Sequence, residues 1–531
     1  MHHQPGVRFS VDSLQFRMDH TVWKETLAGL AEPPNERINI QMKATMLPNY
    51  LKLGRLVLFA LLAVACAEAQ MEAVSPKASD PRFPAYPLKV SANGRYLVDQ
   101  NNIPFLIVGD SPQSMPTMIS VTDAARYFDD RAEHGFNTMW INALCAGPYF
   151  PYCRADGSTY DGIRPFTGYI SGVRDAAHYD LTKPNEAYFA RLDQMLTLAR
   201  DHGMVVFLDP IETGQWLTTL CNNGLAADRA YGKYLGNRYK RFPNIIWLNG
   251  NDFGSWQNPS NDAAVRAVAE GIKSADPKAL QTLELLPPSG SSLDDRMWVP
   301  ILSLNGTYVY GPTYIQMLES YDQKPVVPTY LLEAHYDLER VGNDYGTPLV
   351  LRRQEYWTML SGGKGQIYGN AFTWTFMPGW KFNLDTVGVD QLMIWHQFFS
   401  SLPWWNLVPD QDHKVVTAGL GAYGNLKTRP SESDYCTAAK TPDSSYVVAY
   451  MPTARTITVN MASLKAPASA RWFDPTDGTY TTIPGGPFAN TGTRQFTPPG
   501  KNSGGADDWV LLLKASNSAS EDRGAMPRVK K

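Results

Sequence analysis

Past residue 100 the chain alternates short, unbroken apolar runs with longer stretches whose apolar side chains recur every third or fourth position. The runs fall at 103–108, 136–142, 204–212, 244–250, 280–286, 302–310, 325–333 and 365–370. A strand apolar at every position, rather than at alternate ones, is buried on both faces, as in a parallel sheet covered by helices. The intervening stretches at 122–134, 184–202, 225–241, 262–275, 347–361 and 388–401 carry the helical period. Strands alternating with helices specify a parallel sheet, and eight such units in succession suit a closed (β/α)8 TIM barrel over 86–410. The stretches after the fifth and sixth runs are short and irregular, and the pattern leaves the number of helices there open.

The pattern changes near 412. Short segments at 445–451, 456–461 and 470–473, separated by turn residues, predict a small all-β sandwich over 412–515, followed by a polar, disordered tail at 516–531. A Tyr-, Gly- and Pro-rich insertion at 145–183 follows the second strand, is too long for an ordinary connection, and is expected to overhang the active face. At the other end, residues 1–45 show no sustained period and are read as an upstream, non-native or disordered extension. Met46, basic Lys52 and Arg55, the apolar run 56–65 and Ala67-Glu68-Ala69 then form a signal peptide over 46–69. That run is far short of the roughly 20 residues a membrane-spanning helix requires. The expected location is secreted or periplasmic, with Cys66 a poor match to a lipidation site.

Charge narrows the partners. With 48 basic and 51 acidic side chains the net charge of −3 gives no broad positive field, so nucleic acid is not an expected partner. Export would leave Cys145, Cys153, Cys221 and Cys436 in an oxidising compartment, with Cys145 and Cys153 the favoured pair and free thiols the alternative. None has C-x-x-C spacing. There is also no H-E-x-x-H, no G-x-S-x-G and no phosphate-binding glycine loop, so no metal or cofactor is expected.

In a barrel, chemistry sits where strands end. The fourth run ends in Asn249-Gly250-Asn251-Asp252 and the seventh in Leu332-Glu333-Ala334-His335, placing one acid on each side of the mouth. Taken singly, Asp252 could cap a turn and Glu333 could form a rim salt bridge. Together they supply what glycosidic cleavage needs: a protonated acid for the leaving oxygen and a carboxylate for the anomeric carbon. Asp110, Asp209, Glu212 and Glu284 compete. Asp209 precedes Pro210 and suits a turn, while Glu284 is expected to face the helix layer or a basic partner. The expected substrate contacts are Asp110, Asn142, Glu212, Trp216, Asn251, Tyr310, His335 and Trp374, with Trp140, Trp256, Trp380 and Tyr314 as further aromatic candidates, part of this set filling the core instead.

Several of these segments resemble a known family. Pro104-Phe105-Leu106 with Gly109-Asp110-Ser111, the run 247–252, Leu332-Glu333, Arg353-Gln354-Glu355-Tyr356-Trp357, Tyr368-Gly369-Asn370 with Trp374, and Leu402-Pro403-Trp404-Trp405 look like the apiosidase-like glycoside hydrolases, family 140. Trp472-Phe473-Asp474-Pro475 is similar to the small β-domain attached to such barrels and named for collagen binding. The resemblance implies a retaining mechanism with Asp252 as acid/base and Glu333 as nucleophile, acting on a plant cell-wall polysaccharide such as apiose-bearing pectin side chains. A monomer without cofactor is expected. Two departures stand out: Gly250-Asn251 replaces the family's Gly-Gly, and Leu286 precedes Pro287 where relatives carry His. The rival from a different class is a non-catalytic carbohydrate- or matrix-binding surface protein.

Overall fold

The computed structural model describes residues 83–286, 290–341 and 344–516. The expected N-terminal extension, signal peptide and Cys66 lie outside the described residues, as does the tail from 517.

Eight parallel strands form the first sheet: β1 (Ile107–Asp110), β2 (Thr138–Asn142), β3 (Val205–Asp209), β4 (Ile245–Phe253), β5 (Gln281–Leu285), β6 (Asn305–Tyr308), β7 (Thr329–Glu333) and β8 (Gly365–Tyr368). They run in the order β5-β4-β3-β2-β1-β8-β7-β6, which wraps nearly into a cylinder. At the remaining seam, the Ser303 N–H donates to Gln281 O at 2.8 Å, and the Ser292 hydroxyl bridges the two strands, accepting from the Gly306 N–H at 2.8 Å and donating to Leu283 O.

The wall is apolar on both sides, as the unbroken runs require. Val205 and Phe207 join Ile107, Trp140, Ile246, Leu248, Tyr330 and Ile367 in the inner core. Their neighbours Val206 and Leu208 face the surrounding helices. A short antiparallel sheet built from 89–90, 97–98 and 104–105 adds Leu97 and Phe105 to that inner core.

Besides one single turn at Met115–Met118, the helices are α1 (Val121–Glu133), α2 (Glu186–Asp201), α3 (Thr213–Asn223), α4 (Leu225–Tyr239), α5 (Pro259–Ala275), α6 (Thr313–Asp322), α7 (Pro348–Leu360) and α8 (Val387–Ser400). Their starts are chemically marked. Ser120 caps α1 by accepting from the Asp123 N–H at 3.1 Å, and Asn258 caps α5 ahead of Pro259, whose fixed φ suits a first turn. Two elements, α3 and α6, form outside the stretches assigned to helices in the sequence. Between β5 and β6 there are two single 3-10 turns, Ser292–Asp294 and Arg296–Trp298, each started by a Ser or Asp cap.

Antiparallel strands follow: β9 (Val408–Pro409), β10 (Val416–Ala418), β11 (Thr437–Lys440), β12 (Tyr446–Met451), β13 (Ile457–Asn460), β14 (Ala468–Phe473), β15 (Tyr480–Thr482), β16 (Thr493–Phe496) and β17 (Trp509–Ala515). They form a six-stranded sheet, β9-β11-β12-β17-β14-β15, and a three-stranded sheet, β10-β13-β16, with one apolar core. The larger sheet also packs on α7. Arg352 reaches Asp508 with two bonds of 2.9 Å, both partners being buried, and Arg353 donates to the carbonyls of Pro430, Ser431 and Pro452 at 2.7, 2.6 and 3.1 Å. Tyr356 stacks on Tyr450 with ring centres 5.0 Å apart, and Trp357 Nε1 donates to Tyr435 O at 3.0 Å.

Candidate active site

The end of β4 does not follow a straight strand. Its pairing with β5 is broken between Asn249 and Phe253, and Gly250, Asn251 and Asp252 all sit in the left-handed region, at φ 105°, 53° and 54°. A side chain at Gly250 would place its Cβ 2.6 Å from Glu284 O, so only glycine fits. Two successive non-glycine residues in that region cost roughly 1–3 kcal/mol each and persist only where their surroundings hold them. Here a chain of bonds does so. Trp140 Nε1 donates to Asn142 Oδ1 at 2.7 Å, and Asn142 Nδ2 donates to Asn251 Oδ1 at 2.8 Å. Asn251 Nδ2 and the Asp252 N–H both donate to Glu284 Oε2, at 3.2 and 2.9 Å, while Thr213 Oγ1 donates to Asn251 O at 2.8 Å. The result turns Asp252 into the mouth, where the phenol of Tyr149, from the insertion after β2, donates to Asp252 Oδ2.

Glu333 ends β7 and is only 6% exposed. Tyr310 donates to its Oε1 at 3.2 Å and Tyr336 to its Oε2 at 3.0 Å. Tyr336 is itself fixed by Gln113 Nε2 at 2.8 Å and Ser111 Oγ at 3.2 Å. His335 lies edge-on to Tyr310 with ring centres 5.0 Å apart, and its Nε2 is 3.1 Å from Tyr310 O.

Burial dominates the electrostatics. It pushes the Asp252 carboxyl up, opposed by hydrogen bonds from Tyr149 and Tyr308. It pushes Glu333 well above the ordinary carboxylate range, helped by the charge of Asp252 and opposed by Tyr308 and Tyr336. Glu284 is driven in the same direction by burial and then by the charges of Glu333 and Asp252. The charge of Asp252 thus acts on both Glu333 and Glu284. Ionising one raises the others, so the cluster keeps a proton at pH values where free carboxyls have lost theirs. Such a site offers a proton donor and a carboxylate side by side.

The other predicted contacts divide. Asn142, Asn251, Tyr310 and His335 belong to the networks around the two acids. Trp374 is partly exposed and packs on Phe150 of the insertion, ring centres 5.4 Å apart. Asp110 does not present a free carboxylate: it is fully buried, accepts from Tyr127 at 2.6 Å and from the Ser111 N–H at 2.7 Å, and lies 3.4 Å from Arg131. Glu212 is fully buried and caps α3 by accepting from the Gln215 N–H at 2.9 Å. Trp216 is completely buried, stacked on Tyr179 and packed near Phe166, which corrects the expectation of a sugar platform. Trp140, Tyr314 and Trp380 are buried too. Glu284 corrects the opposite way, turning to the mouth instead of the helix layer, and it forms no salt bridge among the described residues. Tyr149, Tyr308, Tyr336 and Gln113 went unnoticed in the sequence. Only Tyr336 carried a signal, three positions past Glu333. The four described cysteines are free thiols.

The model of the family described as "Apiosidase-like, catalytic domain" matches residues 91–406, more than half of the chain. A second model, described as "Putative collagen-binding domain of a collagenase", matches residues 426–514. Among curated proteins, none matches. Among solved structures, a family 5 glycoside hydrolase from Bacteroides vulgatus superposes with a TM-score of 0.69 at 21% identity, covering 83% of this chain and 96% of its own. Another, described only as a glycoside hydrolase, gives 0.68 at 23% identity, with coverage of 82% and 98%. These two share the fold. With the family model across the barrel and the paired acids on β4 and β7, the chain belongs to the apiosidase-like catalytic-domain family of glycoside hydrolases.

Proposed function

We propose that the protein is a secreted, retaining glycoside hydrolase acting on a plant cell-wall polysaccharide, with apiose-linked pectin side chains the first substrate to test. The observation that carries the reading is the placement of two carboxyls at the ends of parallel strands β4 and β7, Asp252 held by the phenol of Tyr149 and Glu333 by those of Tyr310 and Tyr336. Glu333 Oε attacks the anomeric carbon while protonated Asp252 gives its proton to the departing glycosidic oxygen, forming a glycosyl ester. Asp252, now ionised, takes a proton from water as that water attacks the same carbon, and Glu333 leaves as carboxylate. Tyr310 and Tyr336 hold the Glu333 carboxylate so that one oxygen meets the carbon. The partly exposed aromatic face of Trp374 supplies a stacking surface for the sugar. The β-domain serves as part of the catalytic body, through its buried bonds to α7, rather than as a tether.

The test is a panel of pectic oligosaccharides with Glu333→Gln and Asp252→Ala as controls. Glu333→Gln should abolish turnover on every substrate. Asp252→Ala should lose about 10²- to 10⁴-fold on substrates with poor leaving groups and far less on activated aryl glycosides. Retention of anomeric configuration in the first-formed product supports the ester route, and inversion sinks it.

A further inference from the structure

The acid/base candidate has a partner that does not come from the barrel. Tyr149 stands in the insertion after β2, and its phenol donates to Asp252 Oδ2. The ring is held on two sides. It packs against Gly214 at the start of α3, where an added Cβ would lie 2.4 Å from Tyr149 Cδ2, and it meets Phe150 edge-on with ring centres 5.2 Å apart. Phe150 in turn packs on Trp374. The segment is closed on itself, the Phe150 N–H donating to Ala146 O at 3.1 Å and the Cys153 N–H to Phe150 O at 3.1 Å. A phenol held this firmly acts on the carboxyl it touches.

We infer that Tyr149 is a positioning residue for the reaction, fixing the Asp252 carboxyl and stabilising its ionised form, so that the insertion after β2 sets the pH range of the enzyme. This rests on the reading of Asp252 as acid/base. The phenol can only donate to the carboxylate, and donation favours the charged form. The groups around Asp252 oppose it. Glu212 just past β3, Glu284 on β5, and Glu333 and Glu339 on β7 and the loop beyond it are all acids whose carboxyls the charge of Asp252 pushes up. Tyr308 on β6 is a second hydrogen-bonding phenol, and Tyr310 lies within reach of the Asp252 charge. Tyr149 and Tyr308 are thus what keeps Asp252 able to return to the carboxylate in the second half of the cycle.

The experiment compares the pH dependence of kcat/KM for the wild type and Tyr149→Phe, using whichever oligosaccharide of the panel the wild type cleaves, whose poor leaving group needs the Asp252 proton. Phenylalanine keeps the ring against Gly214 and removes only the hydroxyl. Proton donation fails above the pKa of Asp252, so the loss of a stabilising donor should move the alkaline limb up by on the order of one pH unit. A change in rate with an unmoved limb reduces Tyr149 to packing and overturns the inference. Asp252→Ala and Glu333→Gln run alongside: if they stay active the acid/base reading itself has failed, whereas if they behave as expected and the limb stays fixed only the role of Tyr149 has. Tyr308→Phe, which removes the other phenol, should move the same limb in the same direction.

Discussion

The backbone N–H of Asp252 donates to Glu284 Oε2 at 2.9 Å, so the acid on β5 holds the main chain of the acid on β4. The same oxygen accepts from Asn251 Nδ2, and one side chain thereby secures two residues in a left-handed backbone. Glu284→Ala should leave the fold intact and lower kcat by about 10²-fold, the scale expected when a catalytic group shifts by roughly 1 Å. Glu284→Gln, which keeps an accepting oxygen, should lose much less. Equal loss in both variants, with unchanged thermal unfolding, would mean that the charge of Glu284 matters and not its grip.

Gly250 answers to the same local geometry. Alanine there would meet Glu284 O and carry a side chain at φ 105°. Gly250→Ala is expected to cost roughly 1–3 kcal/mol in urea unfolding and to reduce turnover together with stability. A variant within about 0.5 kcal/mol of wild type would show that β4 can straighten without harm.

Glu355 gives a prediction about pH. It lies buried in α7, and burial raises its carboxyl to about 8, opposed by Gln366 and Arg352. The unfolded chain releases this proton near the ordinary value of about 4.3. Between that value and about 8 the native state binds more protons than the unfolded state, so this group's contribution to stability is full below the window and declines as pH rises through it. Glu355→Gln should flatten the decline. Its advantage over wild type should be small near about pH 5 and reach a few kcal/mol near about pH 9, read from urea midpoints. An advantage independent of pH would contradict a protonated Glu355.

Arg352 and Asp508 make a buried two-bond ion pair, to which Tyr450 adds a bond of 3.1 Å and Asn502 one of 2.8 Å. Removing one partner leaves the other charge stranded, at about 3–5 kcal/mol. Asp508→Ala should lose that much in chemical unfolding. A loss below about 1 kcal/mol would mean that water reaches Arg352 easily.

Much of the barrel was readable because its strands are covered on both faces: runs such as 204–212 and 244–250 contain the observed strands, and the end of β4 only runs on to Phe253. The helix at 213–223 starts on a Glu cap directly after a strand end and runs up to the next helix at Leu225, so neither boundary carries a usual signal, and the 3-10 turns between β5 and β6 leave no period to detect. In the site, strand ends pointed to Asp252, Glu333, Asn251 and Tyr310. They did not distinguish Glu284, which faces the mouth, from Asp110, which is neutralised by Arg131 one helix away. Direction around a strand depends on bulges, and the one at 249–253 has no signature beyond a single glycine. Trp216 and Tyr149 exchanged roles for a similar reason. Each sits outside the strands, where spacing carries no register.

The three carbonyls that Arg353 grips come from two separate turns of the β-domain, and the described residues, 83–516, cluster as a single compact unit. The gap between the two matched regions, from 406 to 426, is thus not a boundary in folding. A chain trimmed there would expose two guanidinium groups, Trp357 and the face of Tyr356 on the helix just ahead of β8. The catalytic barrel cannot be carved out as an independent minimal enzyme without first redesigning that helix.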